Sequence, residues 1–302
     1  MKRQSNEPGS LLMLIASMFI YGTIGIFRRY IPISSGLLAF IRGVVGSIFL
    51  LCVMLVKKRK VIPAAGKRSM ILLALSGALI GFNWIFLFES YNYTSVATAT
   101  LCYYLAPSIV MLVSPLLFKE RLTIKKLFCV IASFIGMVLV SGMIQTGLPA
   151  FGEFKGILFG IGAAVFYSVI VILNKKLADI EPLSKTFIQL CSSAVVILPY
   201  VLIAEDITLM PTDTRSLVLT AILGIVHTGI AYTLYFASID GLKTQTTAIF
   251  SYVDPVTALL LSFFILNEKM SLPALIGAVL MIGSAIFSVV ESKPGIHKDT
   301  FS

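Results

Sequence analysis

The chain has 302 residues, of which 58% are apolar and 13% charged, and its mean hydropathy is +0.97. Soluble domains carry about 25% charged residues, so this composition excludes a water-soluble domain, a disordered chain and a disulfide scaffold. The net charge of +10 would point to nucleic acid in a soluble protein. Here it is explained by a bias of Lys and Arg between membrane-flanking loops.

A spanning helix needs about 20 apolar residues. Uncharged runs occur at 8–27, 70–88, 90–118, 127–152, 156–174, 186–204, 216–239 and 270–290. Two more runs, 30–56 and 244–267, are each interrupted by one ionisable residue, Arg42 and Asp254 respectively. The sequence thus predicts an all-α membrane protein of ten transmembrane helices. Transmembrane strands would be about 9–11 residues long and alternate in polarity, which these runs do not. The first run follows a short polar start with Lys2 and Arg3 and has no convincing cleavage site, so it reads as a span and not as a removed signal peptide. Cys52, Cys102, Cys129 and Cys191 lie inside apolar runs without CxxC spacing and read as small buried hydrophobes.

With the N-terminus inside, 18 Lys/Arg fall on the inner side, in the termini and loops 2–3, 4–5, 6–7 and 8–9. The outer side holds five, namely Arg28, Arg29, Lys155, Arg215 and Lys269. This positive-inside bias predicts that both termini are cytoplasmic.

A shift of 148 residues superposes two segments without a gap. It pairs Thr98 with Thr246, Tyr104 with Tyr252, Pro107 with Pro255, Ser114 with Ser262 and Glu120 with Glu268, and also Gly81 with Gly229 and Trp84 with Tyr232. The chain therefore reads as two five-helix repeats, 1–146 and 147–302. Five is odd, so the second repeat enters the membrane from the opposite side, a common construction of alternating-access transporters.

These features, with the turns Lys-Glu-Arg-Leu-Thr (119–123) and Asn-Glu-Lys-Met-Ser (267–271) and the helical prolines Pro107 and Pro255, resemble the ten-helix EamA type of the drug/metabolite transporter superfamily. Arg42 matches an Arg common in the second helix of that family. Lys119 and Asn267 stand where the family often has Gly. The resemblance implies a multi-pass protein of the cytoplasmic (inner) membrane that moves small metabolites, often amino acids, with export as the expected direction.

An ionisable residue deep in a span is a functional hypothesis by default. Asp254, beside Pro255, is a candidate coupling or cation-binding acid. Pro255 should free the Ser251 carbonyl four residues back and, with Tyr252, open a polar break on a cavity wall. Its mate in the first repeat is Tyr103, Tyr104 and Pro107, without the acid. Gly77, Gly81, Trp84, Phe88 and Tyr91 share one face of helix three, and Thr228, Tyr232, Tyr235 and Ile239 one face of helix eight. The glycines beside Trp84 would leave room for a ligand, while Tyr91, near the outer end, reads as an interfacial belt residue. Tyr21 and Tyr167 on the first helix of each repeat complete a lining drawn from helices 1, 3, 4, 6, 8 and 9.

His227 fits either a packing residue or a proton carrier. Glu89 is expected to pair with Arg42. Asn83 and Gln189 serve equally as substrate contacts or as polar glue between helices. Glu120 and Glu268 read as turn residues, and Thr123 and Ser271 as N-caps. There is no GxxxxGK[ST] loop, HExxH or Cys/His metal spacing, so the sequence predicts no cofactor, metal or enzymatic activity. The partners expected are a small-molecule substrate and the bilayer, without nucleic acid, and a monomer is plausible. The alternative is an integral membrane enzyme or assembly subunit acting on lipid-linked substrates. It would need a cluster of acids, histidines or basic residues at one membrane face, or exposed partner-binding segments, and neither is present.

Overall fold

The computed structural model describes residues 7–63, 65–118, 123–140, 151–177, 180–205, 213–239, 242 and 250–289. Among them every regular element is helical. The elements are α1 (Glu7–Gly22), α2 (Ile24–Arg29), α3 (Ser35–Val56), α4 (Lys67–Tyr93), α5 (Val96–Tyr103), α6 (Ala106–Phe118) and α7 (Ile124–Val140) in the first half. The second half contains α8 (Phe151–Lys176), α9 (Pro182–Ala204), α10 (Thr214–Ile222), a π-helical segment (Leu223–Ile230), α11 (Ala231–Ile239), α12 (Val253–Leu266) and α13 (Leu272–Val289). Six segments are long and apolar enough to cross a membrane: Pro8–Arg29, Ser35–Val56, Lys67–Tyr93, Phe151–Asn174, Pro182–Ala204 and Thr214–Tyr235. Four shorter apolar helices accompany them, Val96–Val110, Leu127–Val140, Val253–Leu266 and Leu272–Phe287. The expected repeat boundary, the turn bearing Glu120, the start of the ninth run and the tail with His297 lie outside the described residues.

Helix ends follow local chemistry more closely than charge. The third span continues through Glu89 to Tyr93, because Ser95 in extended geometry caps α5 by accepting the Thr98 N–H at 3.0 Å. Asp213 caps α10 through the Ser216 N–H (2.8 Å), and Ser271, as expected, caps α13 through the Ala274 N–H (3.3 Å). Asn267 ends α12 in the left-handed region (φ 54°, ψ 29°). That conformation explains why glycine suits the position and why asparagine can replace it.

Both proline expectations need correction. The chain breaks at Tyr104–Leu105 and at Ser251–Tyr252, and each proline sits in the first turn of the helix that follows. A missing N–H costs nothing there. The Ser251 carbonyl is not freed, since it accepts the Asp254 N–H at 3.3 Å.

The two halves interleave. α4 packs between α8 and α9, while α3 packs on α9 and the π segment. α1 lies against α11 and α12, and α8 lies against α4 and α5. Exchanging the first and second halves leaves this pattern unchanged: the contact of α1 with α11 has its mate in α8 with α4, and that of α3 with the π segment in α9 with α4. α7 and α13 pair with each other, and their glycines Gly136 and Gly277 meet so closely that a Cβ on Gly136 would sit 2.6 Å from the Gly277 carbonyl oxygen.

Lipid offers little hydrophobic drive for helix association, so small residues and interhelical hydrogen bonds hold the bundle. Asn83 donates to the Ala163 carbonyl (2.7 Å), Ser90 to the Gly156 carbonyl (2.8 Å), and Gln189 to Ser76 (2.7 Å) and Asn174 (2.8 Å). Such bonds contribute about 0.6 kcal/mol each on average. The cysteines are free; Cys102 and Cys129 are buried as expected, but Cys52 is exposed on the outside of α3.

Candidate functional site

The turns at Tyr104–Leu105 and Ser251–Tyr252 bring tyrosines from both halves together. Tyr21 on α1 meets Tyr232 on α11 edge-on with centroids 5.7 Å apart. Tyr103 lies 5.4 Å from Tyr167 on α8 and 5.8 Å from Tyr104, and Tyr104 lies 6.3 Å from Tyr252. Tyr21, Tyr103, Tyr104, Tyr232, Tyr235 and Ser251 remain partly accessible, and Tyr167 is 40% exposed although its ring touches Tyr103. Helices from both halves thus bring partly accessible aromatic faces next to one another. Asp254, in the first turn of α12, is half-buried in this ring and accepts a 2.5 Å hydrogen bond from the Tyr104 hydroxyl.

Arg42 occupies a second polar position and does not pair with Glu89. Its guanidinium carbon stands 4.4 Å from the centroid of the Trp84 ring and 5.9 Å from that of Phe88. Its Nε donates to Thr228 Oγ1 at 2.7 Å. The side chain is 3% exposed, and among the described residues the one salt bridge joins Arg29 to Glu268 instead. Insertion scales put an arginine at a helix centre at about 2.5–3.5 kcal/mol, and a desolvated cation–π contact returns about 2.

Thr228 reaches Arg42 because the chain widens into the π segment, where its hydroxyl also donates to the carbonyl five residues back, that of Leu223 (3.2 Å). π turns recur at functional sites. The sequence carries no periodic signal for this one.

Several expected lining residues are packed instead. Trp84 and Tyr91 are each 5% exposed and Phe88 is fully buried, so helix three presents no open aromatic wall and Tyr91 is no belt residue. Gly77 and Gly81 serve close packing: a Cβ on Gly77 would meet Ser192 of α9 at 2.7 Å, and one on Gly81 would meet Ile197 at 2.6 Å. They leave no ligand space. Asn83 and Gln189 are interhelical glue by the bonds given above. His227 is 1% exposed; its Nε2 lies 2.7 Å from Thr23 Oγ1 and its ring 4.7 Å from Phe27. It ties the irregular point of the first span to that of the eighth.

Glu268 does more than the turn role expected of it. Its carboxylate accepts from Arg29 (3.1 Å), from the Val96 N–H (3.0 Å), from the Ala97 N–H (3.3 Å) and from Ser262. It therefore joins the α12–α13 turn to the positive N-terminal end of α5. Beside this latch a polar cleft of about 410 Å³ is lined by Arg28, Arg29, Tyr91 and Asn92. A larger apolar groove of about 670 Å³ runs between α7 and α13, remote from the tyrosine ring.

A helical bundle with six segments long and apolar enough to cross a membrane, and four shorter apolar helices beside them, defines a multi-pass membrane protein. The chain belongs to the EamA-like transporter family, which it matches over residues 8–142 and 154–290. It is similar to the uncharacterized transporter YxxF of Bacillus subtilis (28% identity, covering 93% of this chain and 90% of that one). It is also similar to an S-adenosylmethionine uptake transporter of Rickettsia bellii (26% identity, 74% of each chain). One solved crystal structure superposes with a TM-score of 0.67 over 94% of this chain and 97% of that one, at 20% identity, and so shares the fold.

Proposed function

We propose that the protein is a secondary transporter of the cytoplasmic membrane that moves a small metabolite, an amino acid or similar molecule, by alternating access, with export as its direction. In this reading it has ten spans arranged as two inverted five-helix repeats, 1–146 and 147–302, with both termini cytoplasmic. The Arg29–Glu268 latch then lies at the outer end of the bundle. The observation that carries the reading is the cluster of partly accessible Tyr21, Tyr103, Tyr104, Tyr167, Tyr232 and Asp254, drawn from both halves, which in this reading lines the substrate path. Symmetric contacts between the halves support a rocking exchange of one cavity between two sides.

Asp254 is the coupling or cation-binding acid of this mechanism. The test is transport by purified protein in proteoliposomes across a panel of labelled amino acids and metabolites. S-adenosylmethionine is included because two relatives are named as its uptake transporters. Wild type should exchange at least one compound in counterflow. Asp254→Asn should either lose gradient-driven uptake while keeping counterflow, which marks proton coupling, or lose both, which marks a ligand contact. Normal behaviour in both assays refutes the role of Asp254. No movement of any compound by wild type refutes the transporter mechanism.

A further inference from the structure

We propose that Arg42, with the Tyr21 hydroxyl, binds a carboxylate group of the transported molecule. The proposal rests on the transporter reading and adds the charge of the substrate to it. Arginine has five N–H donors. Among the described residues only Nε of Arg42 has a protein acceptor and no carboxylate forms a salt bridge with it, although the side chain is 3% exposed.

Arg28 shows what a structural arginine looks like in the same bundle. Its Nη1 donates to the Ile31 carbonyl (2.8 Å), and its Nη2 to Ser35 (3.3 Å) and Asn92 (3.0 Å). Arg42 has no such set. Trp84 beneath the plane and Thr228 at Nε fix its orientation and leave both Nη groups for another acceptor.

Tyr21 adds a second unused donor. Its hydroxyl is buried without a hydrogen-bond partner, and its ring packs 5.7 Å from that of Tyr232, one turn beyond Thr228, the residue that holds Arg42. The protein's own acid is engaged elsewhere, because Asp254 holds Tyr104. A planar guanidinium matches a carboxylate with two parallel N–H···O bonds, and a buried cation without an internal counter-ion favours an anion that brings one. A single guanidinium, with no second cation in the ring among the described residues, suits a monoanion better than a phosphate dianion. His227 is packed against Thr23 and Phe27. The residues that meet here, Tyr21, Arg42, Trp84 and Thr228, come from both halves, so bound anion would touch both partners of the rocking motion.

The chain has one tryptophan, Trp84, which lies directly under Arg42 and reports on it. The experiment measures Trp84 emission and thermal midpoint of the purified, detergent-solubilised full chain against L-amino acids and simple carboxylates, each paired with its primary amide. At least one carboxylate should raise the midpoint by mass action and shift the emission. Its amide should bind ~100-fold more weakly or worse, and Arg42→Gln should remove the preference. With no ion pair to break among the described residues, Arg42→Gln should leave the ligand-free midpoint at or above that of wild type. Tyr21→Phe, which keeps the ring, should weaken the carboxylate and leave the amide unchanged.

Equal binding of amide and carboxylate, failure of every carboxylate to bind, or a lowered ligand-free midpoint in Arg42→Gln overturns the proposal. Binding is read without a membrane, so the two readings fail separately. Carboxylates that bind but are not exchanged in vesicles count against transport alone, whereas exchange confined to uncharged compounds counts against Arg42 alone.

Discussion

Glu268→Gln tests how the Arg29–Glu268 end of the bundle is held shut. The substitution removes the charge and keeps one oxygen acceptor. It therefore weakens the ion pair to Arg29 and the attraction to the α5 N-terminus without emptying the turn. The Arg29 and Glu268 side chains are 35% and 15% exposed, so solvent screening discounts the pair to about 0.5–1 kcal/mol. The charge at the helix end contributes a similar ~0.5–1 kcal/mol. The sum, about 1–2 kcal/mol, corresponds to a shift of about 5–30-fold in the population whose latch is open.

Ala97, 2% exposed beneath the carboxylate, supplies the reporter position. In a background lacking the four native cysteines, Ala97→Cys in purified protein should react with maleimide about 5–30 times faster when Glu268→Gln is added. The thermal midpoint should fall by only a few degrees. Equal labelling rates with and without Glu268→Gln would refute the latch and leave Glu268 a turn residue.

Two further outcomes follow from the fold. In intact cells an impermeant maleimide should label Pro32→Cys and miss Arg59→Cys, as the excess of Lys and Arg in the other set of loops requires; the reverse pattern would overturn the inverted orientation. Gly136→Val should destabilise the α7–α13 pair by about 1–3 kcal/mol, read as a lowered thermal midpoint, because the added carbon would meet the Gly277 backbone. An unchanged midpoint would show that the contact is loose.

The helices, their apolar character and the two related halves follow from the sequence itself, because lipid demands long apolar runs and a repeated register leaves matched residues 148 positions apart. Asp254 and Arg42 stand out for the same reason, as ionisable residues inside apolar runs. Helix ends were less legible from charge: Glu89 lies inside α4, and it is the Ser95 cap that starts α5. The partners of the buried polar residues were not legible at all. One helix face looks alike whether it meets a cavity or another helix, so Trp84 and Gly81 read as lining, and Asn83 as either lining or glue, where the structure has α8, α9 and Arg42 covering them. Arg42 meets Thr228 across 186 positions and Glu268 meets Arg29 across 239. Contacts over such separations depend on how the spans cross and where the eighth widens into a π turn, and hydropathy along the chain carries no record of either. Tertiary packing alone decided that Arg42 has no carboxylate partner among the described residues while Glu268 meets Arg29.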